Sequence, residues 1–468
     1  MNAPQRLRPD PAALQAVQAE LGGLDCITDA ERLARLSQDF SWFSPVLKRQ
    51  LEGARADLCV RPRTEADIAR VVGACARHRV PITVRGAATG NYGQIVPLQG
   101  GVLLDLSGYN AFGWVRGGVG RAQAGIRLSE FDRQAQPLGW ELRWLPSTFR
   151  AATLGGLYGG GFGGAGSITY GPIASAGNVI GARVMSVEPE PRVEELRGAE
   201  AMLVHHKWGT NGIVLELEVA LAPAWPWLEL IATFEDFGAA FDCCHALNGQ
   251  SPGIVKKEIA LLADPIPRYF TGLAEHLPAG RHAVLLIVAE SSETAVRDLV
   301  AAHGGTLTYR QDGAQVASTN RTLLEYCWNH TTLQALKVDK TLTYIQSRFD
   351  PVRQREQVLA LHELLSPEVM MHVEFIRLTS GAHTCSGLQI VRYSDDARLE
   401  QIMQTFRDHG ATINNPHVHI LEDGGKLRDM DRAALSAAQR MATDAAVAMK
   451  GRFDPLGLLN PGKLRSQV

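Results

Sequence analysis

Residues 155–171 contain nine glycines in seventeen positions, and this density constrains the fold more than any other feature of the sequence. Glycine loses more backbone freedom on folding than any other residue, so ordering such a run costs conformational entropy. A linker is the alternative, but linkers are rich in serine and other polar residues, whereas Leu157, Tyr158, Phe162 and Ile168 interrupt this run. We therefore expect a loop whose bare amides lie close to a bound ligand.

Length and charge exclude several classes of protein. A chain of 468 residues predicts two or three domains with buried cores. Its formal net charge of −2 gives no broad attraction to nucleic acid or anionic membranes. The N-terminus lacks a signal-peptide pattern, and the longest apolar run, 283–289, is too short to span a bilayer. We expect a soluble protein with no membrane span and no nucleic-acid partner.

Cysteine usage points to the cellular compartment. The seven cysteines are scattered and form no C-x-x-C pair. This pattern favours a reducing environment and disfavours a structural zinc site. We therefore expect a cytoplasmic location, and we assign no metal ligands.

A β-α-β pattern precedes a second candidate binding loop. Residues 58–60 and 81–84 have strand composition, and Thr64 is placed to cap the helix between them. The second strand runs into Arg-Gly-Ala-Ala-Thr-Gly-Asn-Tyr-Gly-Gln at 85–94, where small residues let amides converge on anionic oxygens. The G-x-G-x-x-G spacing and a Walker lysine are both missing, which disfavours a direct nicotinamide enzyme. A plain surface loop is the alternative for this stretch alone.

Further motifs follow in a fixed order along the chain. They are Leu-Asp-Leu-Ser at 104–107, Pro-Ser-Thr at 146–148, Thr-Leu-Gly-Gly at 153–156, Gly-Thr-Asn-Gly-Ile-Val at 209–214 and Asp-Pro-Leu-Gly-Leu-Leu-Asn-Pro-Gly-Lys at 454–463. Together with the 85–94 loop, this set resembles the FAD-linked oxidases of the vanillyl-alcohol oxidase and p-cresol methylhydroxylase (PCMH) type. Within that type it resembles the glycolate oxidase and D-lactate dehydrogenase flavin subunits. The resemblance covers about residues 57–223 and the last fifteen residues.

The resemblance implies an α+β fold, in which a two-part PCMH-type FAD-binding domain carries an inserted, ferredoxin-like antiparallel-sheet cap domain. We divide the chain into an N-terminal helical segment (1–50), the FAD-binding domain (51–223), the substrate-binding cap (224–430) and a return to the FAD domain (431–468). Strand-helix-strand alternation between 227 and 421 supports the cap.

The resemblance also implies which residues hold the cofactor. The first loop would bind the FAD pyrophosphate, and the second region would contact the ribityl chain and the isoalloxazine ring. Many members anchor the flavin covalently through a histidine in the first loop; here Thr89 stands there and the second loop has no cysteine, so we expect non-covalent FAD. The implied FAD-binding residues are Arg85, Gly86, Ala87, Ala88, Thr89, Gly90, Asn91, Tyr92, Gly93, Gln94, Pro146, Ser147, Thr148, Thr153, Gly155, Gly156, Gly160, Gly163, Ser167, Asn178, Gly212, Ile213, Asn460 and Lys463.

Candidate catalytic residues come from strand alternation in the cap and from a polar-aromatic cluster at 325–337 and 341–344, which contains His330 and Tyr344. His417 and His419 share a face if 412–421 is a strand, and so do His372 and Glu374 in 370–378. Such groups could form a proton-accepting or a metal site, although half of them could equally face solvent. The metal-binding Gly-Asp-Gly-Asn-Leu-His motif of D-2-hydroxyacid dehydrogenase relatives is absent. The catalytic candidates are His417, His419, Tyr344, His330, His372 and Arg377.

These observations predict an FAD-dependent oxidoreductase. A small alcohol, hydroxyacid or phenol would pass a hydride to the flavin while a cap residue accepts the proton. Oxygen or an electron-carrier protein would be the electron acceptor. The sequence is compatible with a homodimer. The alternative is a catalytically silent flavin-binding subunit of a larger oxidoreductase complex, although no Cys-rich iron-sulfur motif is present in this chain.

Overall fold

The computed structural model describes residues 8–249, 253–421 and 437–464, so the expected boundary between 430 and 431 lies outside the described residues. The α-helices of the described part are α1 (Pro11–Glu20), α2 (Ala30–Leu36), α3 (Pro45–Gln50), α4 (Glu65–Arg77), α5 (Leu128–Ala135), α6 (Leu154–Gly160), α7 (Ser167–Tyr170), α8 (Phe237–Gly249), α9 (Glu293–Ala302), α10 (Gly313–Thr319), α11 (Asn329–Val338), α12 (Gln354–Leu365), α13 (Asp396–Asp408) and α14 (Ala437–Phe453).

The strands form four sheets. They are β1 (Asp25–Ile27), β2 (Leu58–Arg61), β3 (Ile82–Arg85), β4 (Val102–Asp105), β5 (Phe112–Arg116), β6 (Val119–Gln123), β7 (Trp140–Leu142), β8 (Val179–Met185), β9 (Val193–Arg197), β10 (Ile213–Pro223), β11 (Trp227–Phe234), β12 (Lys256–Leu262), β13 (His282–Ala289), β14 (Thr306–Asp312), β15 (Leu342–Tyr344), β16 (Ser347–Arg348), β17 (Val369–Met370), β18 (His372–Arg377), β19 (His383–Gly387), β20 (Ile390–Arg392) and β21 (Thr412–Ile413).

The first sheet confirms the expected β-α-β unit. Its order is β1-β2-β4-β3, with β4 parallel to both β2 and β3. Thr64 caps α4 as predicted: its Oγ1 accepts from the Asp67 amide at 3.1 Å, and the Asp67 carboxylate accepts from the Thr64 amide at 3.0 Å. The apolar face of α4 is buried on the sheet, and β3 runs directly into the 85–94 loop.

The second sheet is antiparallel, and the glycine run lies in the chain between its strands β7 and β8. Its order is β5-β6-β10-β8-β9, with β7 pairing along β10. Part of the glycine run is helical rather than the loop expected from sequence, since α6 and α7 lie within it. Thr153 provides the reason, because its Oγ1 accepts from the Gly156 amide at 3.2 Å and starts α6. Tertiary packing of Leu154, Leu157 and Tyr158 then outweighs the low helix propensity of glycine.

The third sheet has eight strands in the order β14-β11-β13-β12-β18-β19-β16-β21. Strands β11 to β14, with α8 and α9, follow the order 4-1-3-2 of a ferredoxin-like half. Strands β16, β18, β19 and β21, with α12 and α13, repeat that order. The halves join edge to edge through β12 and β18, which pair antiparallel. The sheet thus has the strand-helix-strand alternation inferred from sequence. Three short strands, which alternate along the chain with strands of this sheet, form a separate small sheet in the order β15-β20-β17.

The N-terminal segment contacts two distant parts of the chain. The Phe40 amide donates to the Gly90 carbonyl at 2.7 Å, so residues before α3 hold the 85–94 loop. The carbonyl of Phe43 accepts from Thr343 Oγ1 at 2.8 Å, which links the same segment to β15. The segment therefore joins the loop to the part of the chain that follows β10.

Candidate functional site

A cavity of about 430 Å³ lies between the two glycine-containing segments and one end of the eight-stranded sheet; we call it the main cavity. Its volume falls within the range of small-molecule and cofactor sites. Most residues assigned to FAD binding from sequence line it: Arg85, Gly86, Ala87, Ala88, Thr89, Gly90, Asn91, Tyr92, Gln94, Pro146, Ser147, Thr148, Thr153, Gly155, Gly156, Gly160, Gly163 and Gly212. Two stretches far apart in sequence thus form one wall.

Glycine allows these two stretches to approach each other closely. A Cβ added to Gly86 would lie 2.2 Å from Thr153 Oγ1, so only glycine fits where the first loop meets the start of α6. Gln94 Nε2 donates to the Gly160 carbonyl at 2.9 Å and joins the other ends of the two segments. The cavity wall is therefore fixed by contacts within the chain itself.

Six residues assigned to FAD contact lie behind this wall instead of on it: Gly93, Ser167, Asn178, Ile213, Asn460 and Lys463. Asn460 Nδ2 donates to the Gln94 carbonyl at 2.8 Å, and Lys463 Nζ donates to the Gly93 carbonyl at 2.6 Å. Asn178 holds the carbonyls of Tyr170 and Pro172, and Ile213 is a core residue. Asn460 and Lys463 therefore position the backbone of the 85–94 loop.

The opposite wall comes from the eight-stranded sheet and was missed by the sequence analysis. Arg348 on β16 pairs with Ser386 on β19 and with Thr412 on β21, and cross-strand partners share a face. All three residues line the main cavity. Arg348 is exposed and has no carboxylate partner among the described residues. No local motif marks these positions, because only the pairing of three short strands brings them together.

None of the six catalytic candidates lines the main cavity. The strand expected over 412–421 ends at Ile413, so His417 and His419 lie in irregular chain and strand alternation does not apply to them. His417 is buried, with its Nδ1 2.8 Å from Ser44 Oγ, and burial lowers its pKa to about 4. His419 Nδ1 lies 3.1 Å from Gln50 Oε1. Both histidines therefore contact the N-terminal segment.

His372 and Glu374 do share a face, as alternation predicts. His372 Nε2 lies 2.8 Å from Glu374 Oε1, and both side chains are fully buried. Burial lowers the pKa of His372 to about 4 and raises the pKa of Glu374 to about 7. Burial, reinforced by Glu374, raises the pKa of the neighbouring Glu258 well above its ordinary value. Burial thus favours the protonated form of both carboxyl groups of this buried cluster.

The buried cluster holds Trp328, which lines the main cavity. The Trp328 amide donates to Glu374 Oε1 at 2.5 Å, and its indole Nε1 donates to Glu258 Oε2 at 2.7 Å. Trp328 has a φ of +52°, a conformation that a bulky residue adopts only when its surroundings impose it. The cluster therefore positions Trp328 and the following residue, Asn329, at the cavity wall.

The remaining candidates lie at other places. Tyr344 is buried and its hydroxyl contacts the amide of Asn91, a residue of the first loop. His330 follows Asn329 on α11, and burial lowers its pKa to about 4. Arg377 lines a second cavity, separate from the first. Within the described ranges, no group of three His, Cys, Asp or Glu residues is arranged to hold a metal ion.

Two buried polar atoms test whether a cofactor fits the main cavity. Trp208 Nε1 and Asn329 Oδ1 have no hydrogen-bond partner in the described part of the chain, and both residues line the cavity. Buried polar groups are almost always paired with protein, water or a ligand, so a donor and an acceptor left open at a cavity wall fit a polar ligand. A ligand with both acceptor and donor groups, lying against bare glycine backbone, meets this requirement, as FAD does.

Comparison with known proteins agrees with this site. Residues 56–189 match the family model described as FAD binding domain. The glycolate oxidase subunit GlcD of Bacillus subtilis (strain 168) is 25% identical over 432 residues, covering 87% of this chain and 88% of the relative. The D-lactate dehydrogenase of Anaerostipes hadrus is 27% identical over 233 residues, covering 44% of this chain and 46% of the relative.

A third relative matches over a shorter length, and a solved structure shares the fold. The D-2-hydroxyglutarate dehydrogenase of Escherichia coli (strain K12) is 31% identical over 140 residues, 28% of this chain and 13% of the relative. The structure of an alkyldihydroxyacetonephosphate synthase covers 98% of this chain and 87% of its own, with a TM-score of 0.68 and 16% identity. That likeness concerns the fold alone.

The fold, the cavity and the relatives define the chain as an FAD-binding oxidoreductase. Residues 56–189 match an FAD-binding domain, and the chain is homologous to glycolate oxidase subunits and D-lactate dehydrogenase. The named relatives are oxidases and dehydrogenases, which favours an enzyme over a silent flavin-binding subunit. Among the described helices, none combines the length and apolar character needed to cross a bilayer.

Proposed function

We propose that this protein oxidises a small 2-hydroxycarboxylate, with Arg348 binding the carboxylate group. The observation that carries the proposal is Arg348 itself, a cation on the sheet wall of the main cavity with no carboxylate partner among the described residues. The names of three relatives support it, since glycolate, D-lactate and D-2-hydroxyglutarate are all 2-hydroxycarboxylates. Phenols and simple alcohols lack the anionic group that Arg348 would bind.

The sheet wall supplies groups for each part of such a substrate. A guanidinium and a carboxylate form short, charge-assisted and often bidentate hydrogen bonds, so Arg348 would fix the substrate's orientation. The Ser386 and Thr412 hydroxyls lie beside it through strand pairing. Asn329 Oδ1 is a buried acceptor without a partner in the described ranges, and a substrate hydroxyl would satisfy it.

The glycine-containing wall opposite would hold the cofactor. When bound, FAD supplies a two-electron acceptor for the hydride that leaves the carbinol carbon as C–OH becomes C=O. We propose that it binds non-covalently, because Thr89 stands in the first loop and no cysteine lines the described cavity wall. Amides of residues 86–90 would bind its pyrophosphate.

The acceptor of the hydroxyl proton is part of the proposal. We place it in the cap, taken as the part of the chain from β11 to β21, as the sequence suggested. Among the sequence candidates we choose His330, which follows Asn329 directly in the chain and is neutral at pH 7 because burial lowers its pKa. Glu258, Glu374 and His372 act behind Trp328 as positioning residues.

Anaerobic reduction of the flavin tests this function. FAD-loaded protein is mixed with glycolate, D-lactate or D-2-hydroxyglutarate, and loss of visible flavin absorbance is followed. We expect at least one of these acids to bleach the flavin, while the corresponding alcohols without a carboxylate do not. Failure of all hydroxyacids, with bleaching by phenols or alcohols, would contradict the proposed substrate class.

Arg348→Gln tests the role of the carboxylate-binding residue. We expect KM for the hydroxyacid to rise by about ten- to a hundredfold, because a charge-assisted hydrogen bond contributes about 1.5–3 kcal/mol. The matched control is Arg392→Gln, which removes the same charge from β20, where Arg392 is exposed and outside the cavity lining. Equal KM values for both variants would exclude Arg348 as the carboxylate-binding residue.

A further inference from the structure

Apolar side chains border the part of the main cavity that the eight-stranded sheet forms. Trp328, Leu388 and Phe162 all line this cavity. Trp328 directly precedes α11, Leu388 directly follows β19, and Phe162 belongs to the glycine run. The ring centres of Trp328 and Phe162 lie 6.4 Å apart, which is within the range of an aromatic contact. Trp328 therefore contacts the glycine-containing wall as well as the sheet wall, and it borders the cavity between them.

Strand pairing gives the separation between Trp328 and the arginine of the sheet wall. Arg348 pairs with Ser386, and Ser386 pairs with Glu374 on the next strand, so the three residues share one face of the sheet. The Trp328 amide donates to Glu374 Oε1 at 2.5 Å, which places Trp328 over that strand. Neighbouring strands lie about 4.8 Å apart, so the strands of Arg348 and Glu374 are about 10 Å apart. A guanidinium and an indole thus border the same surface from two sides.

The charge of this surface suits a single carboxylate. Arg348 has no carboxylate partner among the described residues. Within the described lining, the other lysine or arginine is Arg85. Arg85 donates to the Leu36 carbonyl at 3.0 Å and to the Gly86 carbonyl at 2.8 Å. It also lies 3.4 Å from Asp105 Oδ2, so its charge is already paired. A second carboxylate on the substrate would therefore lack a matching cation in the described lining.

The apolar groups of this surface are held in place before a ligand binds. The indole Nε1 of Trp328 donates to Glu258 Oε2 at 2.7 Å. The Leu388 amide donates to the His372 carbonyl at 3.0 Å, and Leu388 is only 5% exposed. Groups that are already fixed lose little freedom on binding, so more of the contact energy appears as affinity. The surface beside Arg348 is therefore a preformed apolar site.

We propose that the preferred substrate is a 2-hydroxymonocarboxylate with an apolar side chain of phenyl size. This inference rests on the proposed function and specifies the part of the substrate that Arg348 does not bind. The carboxylate binds Arg348, and the side chain packs against Trp328 and Leu388. Glycolate has a single carbon–carbon bond, of about 1.5 Å, and no side chain to place against Trp328. Oxidation leaves the 2-oxo acid, as the hydride from C2 passes to FAD and the hydroxyl proton passes to the cap acceptor proposed above.

Lactate and 3-phenyllactate are a matched pair of substrates, because they differ only by the phenyl group on C3. KM and kcat of the FAD-loaded protein are measured for both enantiomers of each acid, with an artificial electron acceptor. We expect KM for the better enantiomer of 3-phenyllactate to lie about tenfold or more below that of lactate, because its ring leaves water. KM for 2-hydroxyglutarate should lie about tenfold or more above that of 3-phenyllactate, because its second carboxylate would be desolvated without a partner.

Trp328→Leu tests the contact with the side chain. We expect KM for 3-phenyllactate to rise about tenfold and KM for lactate to change less than about threefold, because only the larger substrate loses apolar contact area. The matched control is Trp225→Leu, which removes an indole that is 39% exposed and lies outside the main-cavity lining, and it should leave both values unchanged. If Trp328→Leu fails to fold because Glu258 loses the indole donor, the substrate comparison in the wild type decides the matter by itself.

Several outcomes would overturn this inference while leaving the proposed function intact. They are equal KM values for lactate and 3-phenyllactate in the wild type, an equal rise of both values in Trp328→Leu, and a KM for 2-hydroxyglutarate as low as that for 3-phenyllactate. In each of these cases hydroxyacids still reduce the flavin. If no hydroxyacid bleaches the flavin, the proposed function itself fails.

Discussion

Arg348 and Arg377 are residues of one type in different surroundings. Both are exposed arginines at strand ends of the same sheet. Arg348 lines the main cavity beside two hydroxyl side chains, whereas Arg377 lines the second cavity beside other cations. The sequence analysis named Arg377 and not Arg348, because Arg377 lies near His372 and Glu374 in the chain. Proximity in sequence was a poor guide to proximity in the site.

His417 should make the protein sensitive to acid. Its pKa is lowered from 6.5 to about 4 by burial, so the unfolded chain binds a proton between these values that the native state does not. Stability is therefore lost as the pH falls from 6.5 to 4, by up to about 3 kcal/mol for this residue. We expect His417→Asn to show a shallower fall in the free energy of unfolding, measured by urea denaturation across this range. Parallel curves for both proteins would contradict this.

Glu374 should have the opposite effect. Its pKa is raised from 4.5 to about 7, so the native state keeps a proton that the unfolded chain releases. The stability it contributes is present below pH 4.5 and lost as the pH rises to 7. In Glu374→Gln, we expect unfolding free energy to rise more steeply with pH over this interval than in the wild type, by up to about 1.4 kcal/mol per pH unit. An unchanged slope in urea denaturation would show that Glu374 is ionised in the native state.

At the scale of elements, α6 combines glycines that pack against protein with glycines that do not. A Cβ added to Gly155 would lie 2.6 Å from Ala124 Cβ and 3.0 Å from the Ala124 carbonyl oxygen. A Cβ added to Gly159 meets no protein atom within 4 Å. Both residues line the main cavity. Close packing against Ala124 therefore explains why position 155 is a glycine. Gly159, in contrast, faces open space beside the cavity.

These two positions give a matched pair of variants. We expect Gly155→Ala to lower the thermal stability of the FAD-free protein, because the new methyl group overlaps Ala124. Gly159→Ala should leave that stability unchanged or raise it by up to about 1 kcal/mol, since alanine is the better helix former. Gly159→Ala should instead weaken FAD binding, measured by fluorescence titration. Unimpaired FAD affinity in Gly159→Ala would mean that the cofactor does not approach this turn.

At the scale of the whole molecule, the main cavity joins parts of the chain that fold into different sheets. Its walls come from the 85–94 loop, from the glycine run and from strands β16, β19 and β21. The N-terminal segment adds contacts across the same boundary, through Phe40 to Gly90 and through Phe43 to Thr343. A ligand in the main cavity therefore contacts both sides at once.

FAD should accordingly stabilise the molecule as one unit. A ligand at a hundred times its Kd stabilises the native state by about 2.7 kcal/mol. Since both walls contact the ligand, we expect differential scanning calorimetry to show the whole unfolding transition move to higher temperature when FAD is added. A transition that splits, with one component insensitive to FAD, would indicate that only one wall binds the cofactor.

The sequence by itself determined the elements whose signals are local. Thr64 and Asp67 marked the start of α4, small residues marked the first loop, and alternation placed His372 beside Glu374. The glycine-rich loops indicated a bound ligand, because bare backbone allows close approach, and the resemblance of the ordered motifs to a known family indicated FAD. These features depend on neighbours within a few residues along the chain.

Only the tertiary structure decided which polar residues line the main cavity. Arg348, Ser386 and Thr412 come from three short strands, and their common face exists only once those strands pair. His417 and His419 appeared equivalent in sequence, but the chain leaves strand geometry after Ile413 and both contact the N-terminal segment. Strand register and packing between distant segments are non-local, so the composition of a single stretch does not encode them.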